Sequence, residues 1–93
     1  RVFHVWDVEN GEELISIKGE QFEVYCVAFS RDGRLLATCG KEGMVEVWNS
    51  TGKRQACLKG HEGPVYAVDF APEIGRLVTG GKDGTVRVWS VTP

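Results

Sequence analysis

The chain alternates between short runs of β-branched, aromatic and other apolar residues and short segments rich in glycine, aspartate and asparagine. No window carries apolar residues at the period of about 3.6 that a surface helix requires, so the pattern predicts an all-β chain. The predicted strands are Val2 to Asp7, Glu13 to Lys18, Val24 to Ser30, Leu35 to Thr38, Val45 to Trp48, Arg54 to Lys59, Val65 to Phe70, Arg76 to Thr79 and Thr85 to Val91.

The segments between these runs have the composition of tight turns, because glycine, asparagine and aspartate are the residues that tolerate positive φ or begin a turn. The turn residues are Asn10-Gly11, Asp32-Gly33, Glu42-Gly43, Thr51-Gly52, Gly63-Pro64, Gly75 and Asp83-Gly84. Connections this short make consecutive strands antiparallel neighbours, so we expect four-stranded meanders. The strands should group as two, four and three, with the four-stranded sheet at roughly Phe22 to Lys59.

One structural unit occurs more than once in the sequence. Lys18 to Trp48 aligns without a gap on Lys59 to Trp89, at an offset of 41 residues. The identical pairs are Lys18/Lys59, Gly19/Gly60, Val24/Val65, Tyr25/Tyr66, Val27/Val68, Phe29/Phe70, Leu36/Leu77, Thr38/Thr79, Gly40/Gly81, Lys41/Lys82, Gly43/Gly84, Val45/Val86, Val47/Val88 and Trp48/Trp89. A partial third copy precedes them, since Phe3 to Asp7 lies 42 residues before Val45 to Asn49.

Each predicted meander carries apolar side chains on both of its faces, as the run Val24 to Phe29 shows. A repeat of about 40 residues is a supersecondary unit that cannot bury both faces alone, so each sheet needs neighbours. We therefore expect these 93 residues to be a piece of a larger array. The start at Arg1, inside a strand-like run, favours the same interpretation.

The second copy carries a set of motifs at fixed spacing, and together with the period they resemble WD40 repeats over essentially the whole chain. The motifs are Gly60-His61, Val65 to Phe70, Leu77 to Gly81, Asp83 to Trp89 and, in the partial copy that precedes the two full ones, the dipeptide Trp6-Asp7. The resemblance implies WD40-type four-stranded antiparallel blades of a partial β-propeller. Residues 1–19 would end a preceding blade with strands c and d, residues 20–60 would form a complete blade, and residues 61–93 a blade that lacks its outer strand.

The resemblance also implies a structural tetrad within a blade, formed by His61, Thr79, Asp83 and Trp89 and joined by hydrogen bonds. A histidine, a carboxylate and a hydroxyl are also the groups of a nucleophilic catalytic set, but the repeat accounts for all three as blade structure. At the corresponding positions, the preceding blade has Glu20 in place of the histidine and Glu42 in place of the aspartate. We expect that blade to be the weaker one.

Composition narrows the possible functions further. The 11 basic and 13 acidic residues are interspersed and give a formal net charge of −2, so we expect neither a nucleic acid nor a membrane as partner. The cysteines Cys26, Cys39 and Cys57 lack the spacing of metal ligands, and free buried thiols are expected. Such thiols favour an intracellular protein, with the cytoplasm as the expected compartment. No metal and no cofactor are expected.

Two further features have a plain structural interpretation. His4 occupies the strand position of Glu46 and Arg87 in the other copies, which suggests the partly exposed polar side of a strand instead of a metal ligand. The segment Asn49-Ser50-Thr51 matches the N-glycosylation sequon, and free thiols favour a chance match in the loop between strands c and d.

The candidate partner-binding residues are Tyr25, Tyr66, Lys41, Lys82 and Glu23. Each tyrosine stands at the start of an innermost strand, and each lysine precedes a b–c turn, where the resemblance implies a binding face around the mouth of the central channel. The alternative for each tyrosine is packing between blades with its hydroxyl in water.

The resemblance implies a protein–protein interaction scaffold that binds peptides or protein partners on the face of the d–a and b–c connections, together with the remaining blades of a parent propeller. We expect no enzymatic activity, because no further constellation of His, Cys, Asp or Glu is left over for chemistry. The alternative is a docking or regulatory propeller that forms part of a longer enzyme chain.

Overall fold

A computed structural model describes residues 2–6 and 13–18 as strands and residues 23–71 and 75–91 with their side chains. This part of the chain contains nine strands in three antiparallel sheets, which confirms the predicted all-β fold and the grouping of strands as two, four and three. The strands are β1 (Val2–Trp6), β2 (Glu13–Lys18), β3 (Val24–Phe29), β4 (Leu35–Gly40), β5 (Met44–Asn49), β6 (Arg54–Lys59), β7 (Val65–Phe70), β8 (Arg76–Gly81) and β9 (Val86–Ser90).

The strands follow chain order in every sheet: β1–β2 form the first sheet, β3 to β6 the middle sheet, and β7 to β9 the third sheet. This meander order sorts the connections of the middle and third sheets into two ends. One end, which we call the Tyr25 end, contains Glu23 and residues 41–43, 60–64 and 82–85. The connections at residues 30–34 and 50–53 lie at the opposite end, which we call the Arg31 end.

The hydrophobic core lies between the middle and third sheets, where β7 packs against β3 and β4. In the middle sheet, the cross-strand pairs Ala37↔Val47 and Cys39↔Val45 place four fully buried side chains on the face that turns toward β7. Burial raises the pKa of the Cys39 thiol to about 12, so it remains protonated at physiological pH. All three cysteines are free, and Cys26 and Cys57 are only partly buried.

The opposite face of the middle sheet buries Thr38, Glu46 and Trp48. The sequence interpretation assigned the strand position of Glu46 to a partly exposed polar side, and for Glu46 this is wrong, since its side chain is fully buried. Arg54 on the neighbouring strand donates to the Glu46 carboxylate at 3.0 Å, and this ion pair compensates for burial of the charge. The side chain of His4, for which the interpretation was made, lies outside the described side chains.

The third sheet turns Val86 and Val88 outward, with 74% and 61% of their surfaces exposed. Both belong to β9, one of the two edge strands of its sheet. On the other face of β9, Trp89 is half-buried, whereas the equivalent Trp48 in the middle of its four-stranded sheet is almost completely buried. The burial of this tryptophan therefore depends on how many strands and sheets surround it.

Two glycines at the tips of turns show how neighbouring connections are held together. Gly43 has a φ of 79°, and a Cβ at this position would lie only 2.8 Å from the carbonyl oxygen of Gly63 in the connection before β7. Gly33, in the connection before β4, has a φ of 73° and has nothing within 4 Å of such a Cβ. The turn at Gly43 is therefore packed directly against the main chain of the next sheet, while the turn at Gly33 is open.

We predict that Gly43→Ala destabilises the protein more than Gly33→Ala. Both substitutions force alanine into the left-handed region, at a cost of about 1–2 kcal/mol. Only Gly43→Ala adds a steric clash with the backbone of the next sheet. Chemical denaturation of both variants in the full-length protein measures the difference, and equal losses of stability would show that the contact between the two connections is unimportant.

Candidate interaction site

Four side chains of the third sheet and the connection before it form a hydrogen-bonded chain. The Trp89 indole Nε1–H donates to Thr79 Oγ1 at 2.8 Å, and Thr79 Oγ1 lies 2.7 Å from His61 Nε2. His61 Nδ1 lies 3.2 Å from each oxygen of the Asp83 carboxylate. A carboxylate can only accept, so Nδ1 carries the proton, and in the neutral tautomer Nε2 accepts from the Thr79 hydroxyl. The structure thus brings together the four residues of the proposed tetrad.

The Asp83 carboxylate joins two segments at the Tyr25 end. It accepts from the backbone N–H of Glu62 at 3.0 Å, from the Thr85 N–H at 3.1 Å and from the Thr85 hydroxyl at 2.8 Å. These bonds and the contact with His61 favour the ionised form and hold the pKa of Asp83 well below its usual range. The carboxylate therefore fastens the connection before β7 to the turn between β8 and β9.

The His61–Asp83–Thr79 set has the composition of a catalytic group but not its accessibility. Thr79 is almost fully buried, and its oxygen already binds both the indole N–H and the imidazole. A nucleophile must reach a substrate, and this hydroxyl lies in the interior of the sheet packing. The geometry therefore supports the structural interpretation of these residues.

Gly81 is a residue of this network that the sequence interpretation did not single out. A Cβ on Gly81 would lie 2.8 Å from His61 Nδ1 and 3.2 Å from Asp83 Oδ1. Any larger residue would therefore push the imidazole away from the carboxylate. In the sequence, the only sign that position 81 must be small is the pair Gly80-Gly81 at the end of β8. The turn that follows already has its own glycine, Gly84, so it does not require this pair.

The middle sheet keeps only part of the network. The Trp48 indole N–H donates to Thr38 Oγ1 at 3.2 Å, as Trp89 does to Thr79. Glu42, at the position of Asp83, is exposed, and Glu20, at the position of His61, lies outside the described residues. The sequence of this repeat therefore has neither the histidine nor the aspartate of the network, and the relative weakness of this blade stays a prediction.

We predict that His61→Ala lowers the free energy of unfolding by about 1–3 kcal/mol, because it leaves the buried Thr79 hydroxyl and the Asp83 carboxylate without their shared partner. Glu20→Ala, at the same position of the preceding repeat, should cost less. Equilibrium denaturation of both variants in the full-length protein compares them. Equal effects would mean that the network contributes nothing specific to the stability of its sheet.

A pH dependence follows from the low pKa of Asp83. Because its pKa is lower in the folded state than the ordinary 3.8, its contribution is complete above that value and is lost as the pH falls toward the folded-state pKa. Wild-type protein should therefore lose thermal stability between about pH 5 and pH 2 more steeply than Asp83→Asn. Melting temperatures measured across this range provide the test, and parallel curves for the two proteins would contradict it.

Tyr25 and Tyr66 both occupy β-bulges, which the sequence did not reveal. In β3 the pairing with β4 passes from Val24↔Gly40 directly to Cys26↔Cys39, and in β7 it passes from Val65↔Gly81 to Ala67↔Gly80. Each tyrosine is the extra residue that the partner strand does not match. Both bulges lie at the Tyr25 end of their strands, and both tyrosines are exposed there.

The two tyrosine rings meet across the boundary between the middle and third sheets. Their centroids are 5.7 Å apart and their planes are tilted by 38°. The residues remain 43% and 52% exposed, so packing against each other covers only part of each ring. The Tyr25 hydroxyl donates to Glu23 Oε2 at 3.1 Å. Of the five candidate partner-binding residues, these three form a contiguous group.

Lys41 and Lys82 lie beside this group on the two equivalent turns. The backbone N–H of Lys41 donates to the Glu23 carbonyl at 3.0 Å, and that of Lys82 donates to the Pro64 carbonyl at 2.9 Å. Both residues are exposed. Their main chains therefore tie each turn to the approach of the innermost strand, while their charged side chains stay available at the Tyr25 end.

Other candidate chemistry receives no support from the described side chains. They include no group of three or more His, Cys, Asp or Glu that could hold a metal ion. Within the same part of the chain there is no helical segment that could span a lipid bilayer. In the sequon, the Asn49 side-chain oxygen accepts from the N–H groups of Thr51 and Lys53 at 3.0 and 2.9 Å, so this asparagine organises the β5–β6 turn.

Comparison with protein families gives a match to the WD40 model, described as "WD domain, G-beta repeat", at residues 11–49 and 52–90. Each matched repeat spans the last strand of one sheet and the first three strands of the next. The chain also matches the crystal structure of the computationally designed Ika4 protein, with a TM-score of 0.80 and 31% sequence identity. The match covers 96% of this chain and 54% of that one.

Curated relatives are longer proteins with the same repeats. The serine-threonine kinase receptor-associated protein of Gallus gallus is 41% identical over 46 residues, which are 50% of this chain and 13% of that protein. Coronin-7 of Mus musculus is 39% identical over 44 residues, covering 47% and 5% of the two chains. Periodic tryptophan protein 2 of Saccharomyces cerevisiae is 31% identical over 52 residues, covering 56% and 6%. The matches span only a small part of each relative.

Proposed function

Because this chain belongs to the WD40 repeat family, whose members generally serve as scaffolds for protein interactions, we propose that it contributes a binding surface for a peptide or protein partner at its Tyr25 end. The surface consists of Tyr25, Tyr66 and Glu23, with Lys41 and Lys82 beside them. On this proposal the chain has no catalytic activity of its own, and its free thiols suit an intracellular location.

The observation that supports this proposal most directly is the exposed tyrosine pair. Both rings lie at bulges and remain about half exposed, although aromatic side chains are normally used to fill the interior. Tyrosine is enriched among the residues that dominate binding energy, because it combines a large apolar area with a hydroxyl. Their position at the boundary of two sheets places them on a rigid support, so a partner would not have to order them.

The Arg31 end offers no comparable surface among the described connections. Arg31 and Lys53 are exposed there, but their turns are occupied by local hydrogen bonds such as those of Asp32 and Asn49. Asp32 accepts from the Ser30 hydroxyl at 2.7 Å and from the Arg34 N–H at 3.0 Å. These contacts stabilise the turns and give this end a structural role.

We predict that the double change Tyr25→Ala and Tyr66→Ala weakens partner binding by roughly 1–4 kcal/mol while the protein stays folded. The measurement is quantitative recovery of crosslinked partners by the full-length protein, compared with wild type, followed by titration with each partner identified. Arg31→Ala and Lys53→Ala at the opposite end are the controls and should leave recovery unchanged.

A further control tests whether the loss of any exposed aromatic residue has the same effect. Phe29 lies on the same strand as Tyr25, is 54% exposed and stands at the Arg31 end. Phe29→Ala should retain the partners that the tyrosine double variant loses. If Phe29→Ala loses the partners and the tyrosine double variant keeps them, the binding surface lies at the Arg31 end and the proposal is wrong. Melting curves of all variants distinguish a loss of binding from unfolding.

A further inference from the structure

The tyrosine pair lies in an acidic environment. The Tyr25 hydroxyl donates to Glu23, and partial burial, this hydrogen bond and the charges of Glu23 and Glu42 together raise the pKa of Tyr25. The phenol therefore stays neutral at physiological pH, and negative charge lies next to its ring. A group that binds here must tolerate, or benefit from, a carboxylate at the edge of the aromatic surface.

The ring geometry leaves aromatic faces open to a ligand. A tilt of 38° at a centroid distance of 5.7 Å is neither a parallel stack nor a closed cage, and about half of each tyrosine remains exposed. The face of an aromatic ring carries the negative end of its quadrupole and attracts cations. The two ring faces and the Glu23 carboxylate beside them therefore all attract a cation.

We infer that Tyr25, Tyr66 and Glu23 together receive the guanidinium group of an arginine side chain from the partner peptide. This inference rests on the proposed function and specifies the chemistry of its partner. A guanidinium is planar and weakly hydrated, so it can stack on a tyrosine while its N–H groups reach a carboxylate. A carboxylate offers about four acceptor positions, and the Tyr25 hydroxyl takes one of those on Glu23.

The nearby lysines are the main electrostatic opposition to this arrangement. Lys41 and Lys82 carry positive charge at the same end, on turns bonded to the approaches of β3 and β7. Their side chains are exposed, so salt screens their repulsion, and their flexible stems allow the ammonium groups to move away from a bound cation. Because both lysines repel a bound cation, removing the charge of either one should strengthen the binding of an arginine.

The test uses three short peptides that are identical except at a central residue, which is arginine, its neutral isostere citrulline, or glutamate. Binding to the full-length protein is followed by the NMR signals of the tyrosine rings. The arginine peptide should bind roughly three- to tenfold more tightly than the citrulline peptide, since a cation gains more from the ring faces and the carboxylate than its neutral isostere does. The glutamate peptide should bind most weakly.

Three single substitutions assign this preference to the proposed residues. Glu23→Gln should weaken arginine binding about two- to fivefold and should weaken citrulline binding less, because only arginine loses an interaction between opposite charges. Tyr66→Ala should weaken both peptides. Lys41→Gln should strengthen arginine binding, whereas Lys53→Gln at the Arg31 end, which removes the same charge far from the rings, should have no effect.

The outcomes separate this inference from the proposed function. Equal binding of the arginine and citrulline peptides, a preference for glutamate, or no binding of any peptide overturns the inference. If the tyrosine double variant still loses its crosslinked partners in that case, the interaction surface stands and only its partner chemistry is wrong. If that variant keeps its partners, the proposed function itself fails.

Discussion

The architecture depends on one constraint, which is that a four-stranded sheet with apolar side chains on both faces cannot be stable in isolation. In the middle sheet, one face buries Ala37, Cys39, Val45 and Val47 toward the third sheet, and the other buries Thr38, Glu46 and Trp48. The outward-facing Val86 and Val88 show what such a face looks like without a neighbour in the described structure. Because each matched repeat combines strands of two sheets, the covalent chain itself keeps neighbouring sheets in register.

Hydrogen bonds determine how the connections at the Tyr25 end are arranged once the sheets have packed. The chain from Trp89 through Thr79 and His61 to Asp83 joins the interior of the third sheet to its turn and to the connection that precedes it. Gly43 of the middle sheet packs against the main chain of that connection, so the position of the connection is also fixed relative to the middle sheet. The same rigid end carries Tyr25 and Tyr66, so the structural network and the proposed binding surface are physically linked. Variants that weaken the network are therefore expected to affect the surface as well.

The proposed surface differs in character from the network that supports it. The network is centred on the buried side chains of His61 and Thr79, and the oxygen of Thr79 is already bonded to two partners. The surface contains two half-exposed rings and a carboxylate that bonds to one of them. On the proposed function, such a combination would gain its binding energy from stacking and desolvation of a partner's side chain, without a conformational change in the sheets. This division suits a scaffold, in which one set of residues maintains the shape and another set selects the partner.

The all-β fold and the grouping of strands could be predicted from sequence, because turn residues, strand periodicity and a repeat of about 40 residues are local signals. The four members of the His61 network were implied by the resemblance to WD40 repeats, and the structure brings their side chains together. Other features arise only when sheets pack. Glu46 looks like an exposed strand residue until Arg54 and the neighbouring layers bury it, and Gly81 looks like a second turn glycine until His61 is placed beside it. The bulges at Tyr25 and Tyr66 are invisible in the pattern, since an unmatched residue exists only relative to its partner strand. Sequence alone determined which strands form and in what order, because those choices depend on neighbours along the chain. Tertiary structure decided which charges are buried and which rings meet, because these depend on residues that are distant in sequence.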